Sequence, residues 1–292
     1  MIEFIQMIIS GIAVGSSYAL MGLGMVLIYK ASEVPNFVQG EMALLPVFIA
    51  YMIIYSYAMP VYAAFAGALV FALLLGGFLE FAIVRRAKQP NILGLIIITI
   101  GMEMVLLGLV SWKFGADQRT MPFPISSYDS VMIGDFIYIS TLDLLTLVVA
   151  LVLMIALFLF FRFSKLGVAM KATQQNETAA RLMGIRTNRV RMITWGISAM
   201  VATVAGLLIA PTIMEPYMMW DPLLKGFAGA VVGGMTSLPG AVFGAYIVGI
   251  IEHLFGGYVS IEFKSVVAFA VIVLVLCVKP SGLFARHYVK KV

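Results

Sequence analysis

Long apolar runs joined by short polar connections make up most of the chain. Uncharged stretches cover Ile5 to Tyr29, Met42 to Ala58, Val61 to Leu79, Leu144 to Phe161, Ile193 to Met214, Gly226 to Ile251 and Ser265 to Val278. Asn91 to Trp112 is a further run, broken only by Glu103. A bilayer core about 30 Å thick is crossed by about 20 helical residues, whereas barrel strands alternate polarity over about ten. Helices also satisfy their own backbone hydrogen bonds where lipid offers none. The pattern therefore predicts an all-α fold, a polytopic transmembrane helical bundle of about eight or nine spans with broken or re-entrant segments.

Composition narrows the class. Of 292 residues, 62% are hydrophobic and 11% charged, against about 25% charged in ordinary soluble domains. A soluble globule is excluded. The single cysteine, Cys277, excludes a disulfide scaffold. Two histidines, His253 and His287, with no cysteine cluster, leave no metal site to expect.

The net charge of +5 belongs to topology rather than to nucleic acid, because basic residues collect on the cytoplasmic side of membrane proteins. Lys30, Arg85, Arg86, Lys88, the seven Lys and Arg of 162–191, and Lys279, Arg286, Lys290 and Lys291 fall on one side. Lys113, Arg119, Lys225 and Lys264 remain for the other. This places the N-terminus outside, the C-terminus in the cytoplasm, 113–141 in an external loop and 162–192 in a cytoplasmic one, within one transmembrane domain over 1–292. The N-terminal run reads as a span rather than a cleaved leader. Keeping the basic tail inside requires Gly226 to Ile251 to cross twice, as two short segments hinged near Pro239, which gives about nine crossings.

Several stretches can carry chemistry. Lys30 to Glu41 contains Pro35 and Gly40, which break helices, and Asn36, Gln39 and Glu41, which lipid does not tolerate alone. It reads either as a broken helix lining a pathway or as an ordinary cytoplasmic loop. In 162–192, Glu177 to Met183 reads as a short amphipathic helix with Asn176 as N-cap, Gly184 as its stop, and Ala180 and Met183 on one face. Such a helix docks a partner protein or lies on the membrane surface; a flexible loop is the third possibility. The 113–141 connection alternates at Met132, Ile133, Phe136, Ile137 and Ile139 around Gly134, which suits a short hairpin. Gly233, Gly234, Gly240 and Gly244, with Ser237 and Pro239, suit close helix packing, a subunit interface or a moving gate. Glu103 lies inside a span, as a proton-coupling or pore residue or as a neutral structural acid. Glu80, Glu252 and His253 lie nearer segment ends and are expected at the interface. A faint likeness between Gly40–Tyr51 and Gly240–Tyr246 hints at a repeat. No phosphate loop, H-E-x-x-H or G-x-S-x-G occurs, so the chain is not expected to be an enzyme.

Four stretches together resemble the branched-chain (hydrophobic) amino acid ABC transporter permeases, the Liv-type inner-membrane subunits. They are Gly15 with Tyr18-Ala19-Leu20; Asn36-Phe37 with Gly40-Glu41; Gly167-x-Ala169-Met170-Lys171-Ala172 leading to Ala179-Ala180-Arg181-Leu182-Met183-Gly184-Ile185; and Gly233-Gly234-x-x-Ser237-x-Pro239-Gly240-Ala241-x-x-Gly244. Gln39 and Lys171 stand where the family often has His and Arg. The resemblance implies a bacterial inner-membrane importer subunit for branched-chain amino acids or related small amides and carboxylates. Asn176, Glu177, Ala179, Ala180, Arg181, Leu182, Met183 and Gly184 would couple it to the ATPase. Asn36, Gln39, Gly40, Glu41 and Glu103 would lie along the substrate pathway. Implied partners are a second homologous permease, two cytoplasmic ATPase subunits that bind the ATP and Mg, and a periplasmic substrate-binding protein; the chain itself would hold no cofactor. The alternative is a proton-coupled secondary transporter using Glu103.

Overall fold

A computed structural model describes residues 2–87, 91–124, 129–133 and 137–284. These form, in order, α1 (Ile2–Ser32), α2 (Gln39–Tyr57), α3 (Val61–Ala82), α4 (Ile92–Phe114), β1 (Ser130–Ile133), β2 (Ile137–Ser140), α5 (Thr141–Phe163), α6 (Lys165–Gln175), α7 (Glu177–Leu182), α8 (Thr187–Ile209), α9 (Trp220–Gly233), α10 (Leu238–Tyr258) and α11 (Lys264–Val278). Seven helices, α1 to α5, α8 and α10, are long and apolar enough to cross a membrane. The 14 residues of α9 and 15 of α11 reach only about 21 to 23 Å at 1.5 Å per residue. Among the described residues the polytopic bundle thus combines seven helices of spanning length with the shorter α6, α7, α9 and α11.

Helix α1 is apolar on every face and its most apolar stretch is largely buried, as expected of a central helix. It packs against α8, α9 and α10, with Gly11 and Gly15 on the backbone of Ile250 and Tyr246 and Gly22 on that of Gly226. The main core joins it to α2 and α8. Helices α4 and α5 lie at the periphery and expose Ile97, Val105, Val152 and Ile155, a surface suited to lipid.

The two ends of the bundle differ. At one, β1 and β2 pair antiparallel from Ser130↔Ser140 to Ile133↔Ile137, the pairing expected of a hairpin; Gly134 and Phe136 lie outside the described residues. The Gln6 amide ties this hairpin to α1, donating to the Tyr138 carbonyl at 2.6 Å and accepting from its N–H at 3.2 Å. At the opposite, loop end, α6 and α7 stand beside the C-terminal residues of α1.

In the last third the chain leaves the helix at Gly233 and re-enters at Leu238. The break comes before Pro239, which lies in the first turn of α10, where its missing N–H costs nothing. Ser237 Oγ caps that turn by accepting from Gly240 N at 3.1 Å. The expectation of two short segments is corrected: α9 is short, but α10 runs for 21 residues, because nothing interrupts its apolar sequence after Pro239. Beyond α11 the N–H groups of Leu283 and Phe284 donate to the carbonyls of Val232 and Gly233 at 2.8 and 3.1 Å, satisfying orphan acceptors at the end of α9. Lys88, Arg286, His287, Lys290 and Lys291 lie outside the described residues.

Candidate functional site

At the loop end, Ser164 Oγ accepts from Gly167 N at 2.8 Å and starts α6, and Asn176 Oδ1 accepts from Ala179 N at 2.9 Å and starts α7. Gly184 stops α7 at φ +82, a conformation costly for residues with a Cβ. Within α7, Arg181 donates to Glu177 at 2.6 Å, one helical turn away, and to Thr187 Oγ1 at 3.0 Å. Arg191 of α8 donates to Glu177 at 3.2 Å and to Asn188 at 2.8 Å. Partial burial pushes the Glu177 carboxyl up, but Arg191, with hydrogen bonds from Arg181 and Thr187, outweighs it and holds the group below the usual carboxylate range.

The expected shared face of Ala180 and Met183 is not formed. Ala180 is only 4% exposed, while Leu182 and Met183 are 84% and 83% exposed. The helix ends at Leu182, and Met183, as its C-cap, turns out of the helical path. Thr178, Ala179, Leu182, Met183 and Gly184 form the outward surface of the loop. Behind it lies a cleft of about 550 Å³ lined by Lys30, Glu33, Glu80, Arg85, Asn176 and Arg191, among others.

The break between α1 and α2 is not a surface loop. Asn36, Gln39 and Glu41 are 1%, 0% and 3% exposed. Asn36 Nδ2 donates to Gln39 Oε1 at 3.1 Å, and Gln39 Nε2 donates to the Ser198 carbonyl at 3.1 Å. Ser198 Oγ donates to the Gly24 carbonyl at 2.7 Å and lies 3.0 Å from Gln39 Oε1. The Gln39 amide thus joins the α1–α2 connection and α2 to α8, and Ser198 carries the link on to α1. Gly40 lies against Met219 and Leu223. Glu41 and Glu103, the latter 8% exposed on α4, are within electrostatic reach of each other, and Glu41 Oε2 has no hydrogen-bond partner. Among the described residues no three His, Cys, Asp or Glu side chains gather as metal ligands would.

A second polar centre escaped sequence reasoning. Lys225 of α9 is 2.6 Å from both Glu252 and Asp221, Tyr18 OH donates to Glu252 at 3.1 Å, and Lys264 stands 3.8 Å from the same carboxylate. Lys225 is therefore a buried partner rather than a loop charge. Glu252 and Glu80, each 1% exposed, also do not reach the interface as expected; each has a basic residue of a neighbouring helix facing it, which offsets part of the cost of burial. His253 is half-buried, its Nε2 3.4 Å from Lys264 Nζ. The signal available in sequence was Lys225 four residues after Asp221 within an otherwise apolar helix.

The glycines of the last third meet within the chain: a Cβ on Gly233 would strike the Gly240 carbonyl, and one on Gly244 the Gly229 carbonyl. Their faces are occupied by the α9–α10 contact itself.

Residues 7–276 match the family model described as branched-chain amino acid transport system / permease component. The chain is 33% identical to the high-affinity branched-chain amino acid transport system permease protein LivH of Escherichia coli (strain K12), over 99% of this chain and 98% of that protein. It is 29% identical to the corresponding protein BraD of Pseudomonas aeruginosa, over 99% and 98%. To the probable branched-chain amino acid transport permease protein LivH of Methanocaldococcus jannaschii it is 27% identical, over 95% and 92%.

Proposed function

The chain belongs to the family of branched-chain amino acid transport permeases, and on that premise we propose that it is the translocation subunit of an ABC importer driven by separate ATPases. The observation that carries this reading is the outward pair Leu182 and Met183 on a capped helix at the loop end of the bundle. Two large apolar side chains held in the open beside Arg181 and Arg186 suit a protein groove better than water. The basic residues around them favour a cytoplasmic loop end, with the hairpin end and N-terminus outside and the C-terminus inside. ATP and Mg would then be bound by two ATPase subunits, and substrate delivered by a periplasmic binding protein to this chain and a second, homologous permease.

The substrate class is a branched-chain or other small hydrophobic amino acid, or a related small amide or carboxylate. Asn36, Gln39 and Gly40 fix the helix break beside the pathway, and Glu41 and Glu103 are its intramembrane acids. Movement of α7 by the closing ATPases would alternate the bundle between outward and inward states. The test is gentle purification of the tagged chain from its native membrane and mass spectrometry of what accompanies it. Two ATPase-type chains and a second permease are expected. A chain that emerges alone, yet supports uptake that ignores ATP and follows a proton gradient, overturns the proposal in favour of coupling through Glu103.

A further inference from the structure

Glu80 and Arg191 have no part in the scheme above, yet they sit between α7 and the bundle. Glu80, on α3, is 1% exposed and neither of its carboxylate oxygens has a hydrogen-bond partner. Arg191 faces it from α8, with Nε 3.6 Å from Oε1, close enough for an ion pair and too far for a hydrogen bond. Arg85 is within electrostatic reach and supplies no hydrogen bond either. Two of the five N–H donors of Arg191 are engaged elsewhere, from Nη1 to Glu177 of α7 at 3.2 Å and from Nη2 to Asn188 at 2.8 Å, and these bonds hold the guanidinium short of Glu80. One guanidinium thus serves two carboxylates and satisfies only one of them. The cleft of about 550 Å³ is bordered by Glu80, Glu177 and Arg191 together, so the guanidinium has room to move.

A buried carboxylate without donors is costly, and an arginine that closes on it gains strength through charge-assisted bonds. We propose that Arg191 is a positioning residue that transmits movement of α7 to α3, exchanging Glu177 for Glu80 when α7 is displaced. With α7 seated as observed, Arg191 is held on the loop and the α3–α8 contact is loose at Glu80. With α7 drawn away, Arg191 closes on Glu80 and tightens that contact. By reciprocity, whatever fixes Arg191 on Glu80 also frees α7. This inference rests on the reading of α7 as the ATPase-docking helix.

The first arm of the test uses the assembled transporter in native membrane vesicles. Glu80→Gln should leave the amount of copurified ATPase unchanged and lower uptake per ATP hydrolysed about tenfold, within the usual range of coupling between sites. Arg191→Lys, which keeps the charge but cannot fork to two carboxylates, should do the same and covers the case in which Glu80→Gln fails to fold. The second arm uses the purified permease alone, with spin labels on Leu182→Cys and Ile83→Cys in a Cys277→Ser background. Glu177→Gln should lengthen the distance between the labels, and Glu80→Gln should hold it at its shorter value. Wild-type uptake per ATP in Glu80→Gln together with an unchanged distance in Glu177→Gln would overturn the role of Arg191. Distances that respond as stated in a permease to which no ATPase binds would support the Arg191 exchange and overturn the docking reading instead.

Discussion

Two buried carboxylates of this protein are held in opposite ways. Glu252 accepts from Lys225 at 2.6 Å and from Tyr18 at 3.1 Å, with Lys264 at 3.8 Å, so its charge is matched from α1, α9 and α11. Glu80 is as deeply buried, and among the described residues it has an ion pair with Arg191 at 3.6 Å but no hydrogen bond. A saturated cluster fixes one arrangement of the helices around it. An unsatisfied carboxylate facing a shared arginine is not locked into one arrangement by hydrogen bonds. The first suits a fixed seam between the broken helix α9 and the core, the second a joint that moves.

The largest effect is expected at the saturated cluster. Lys225→Met strips Glu252 of its closest partner and should cost about 3 to 5 kcal/mol, seen as a lower unfolding temperature in detergent. A loss as small as that of an exposed ion pair would show the cluster to be no seam. Glu80→Gln sharpens the contrast, because removing an unsatisfied charge should change stability by no more than about 1 kcal/mol, or even raise it, while transport falls. Equal destabilisation by the two substitutions would erase the distinction. Smaller still is the pH response of α7. Because its carboxyl is held below the ordinary range, Glu177 contributes fully above its unfolded value of about 4.3 and loses that contribution as pH falls through its lower folded value. Amide exchange in α7, corrected for its intrinsic pH dependence, should thus be flat from about pH 7 to about 5 and speed up only below about 4. Leu182→Glu comes last: the residue is 84% exposed, so stability should shift by less than about 0.5 kcal/mol while ATPase copurification is lost.

Much of the bundle was legible in the sequence because each full-length span is a long apolar run, and such runs have few alternatives. The break between α9 and α10 was legible through Ser237 and Pro239, and α7 through its Asn176 cap and Gly184 stop. The burial of Ala180 was not, since a six-residue helix carries too little periodicity to fix its face. The pairing of Lys225 was missed for a related reason: a lysine in a loop and a lysine facing an acid 27 positions away look the same along the chain. The node of Gln39 and Ser198 joins residues 159 positions apart, a proximity that only the packed helices create. Sequence reading thus marked Gln39, Glu41 and Glu103 as residues lipid would not tolerate, without showing what would receive them.

The docking of α7 is tested most directly by placing a single reactive thiol at its exposed tip, as Met183→Cys in a Cys277→Ser background, and adding a short thiol-directed photo-crosslinker to native membranes. An adduct between the permease and an ATPase-type chain, abolished by Leu182→Glu in the same background, is the predicted result. A thiol that labels fully and yields no protein adduct, or only permease joined to permease, would contradict it.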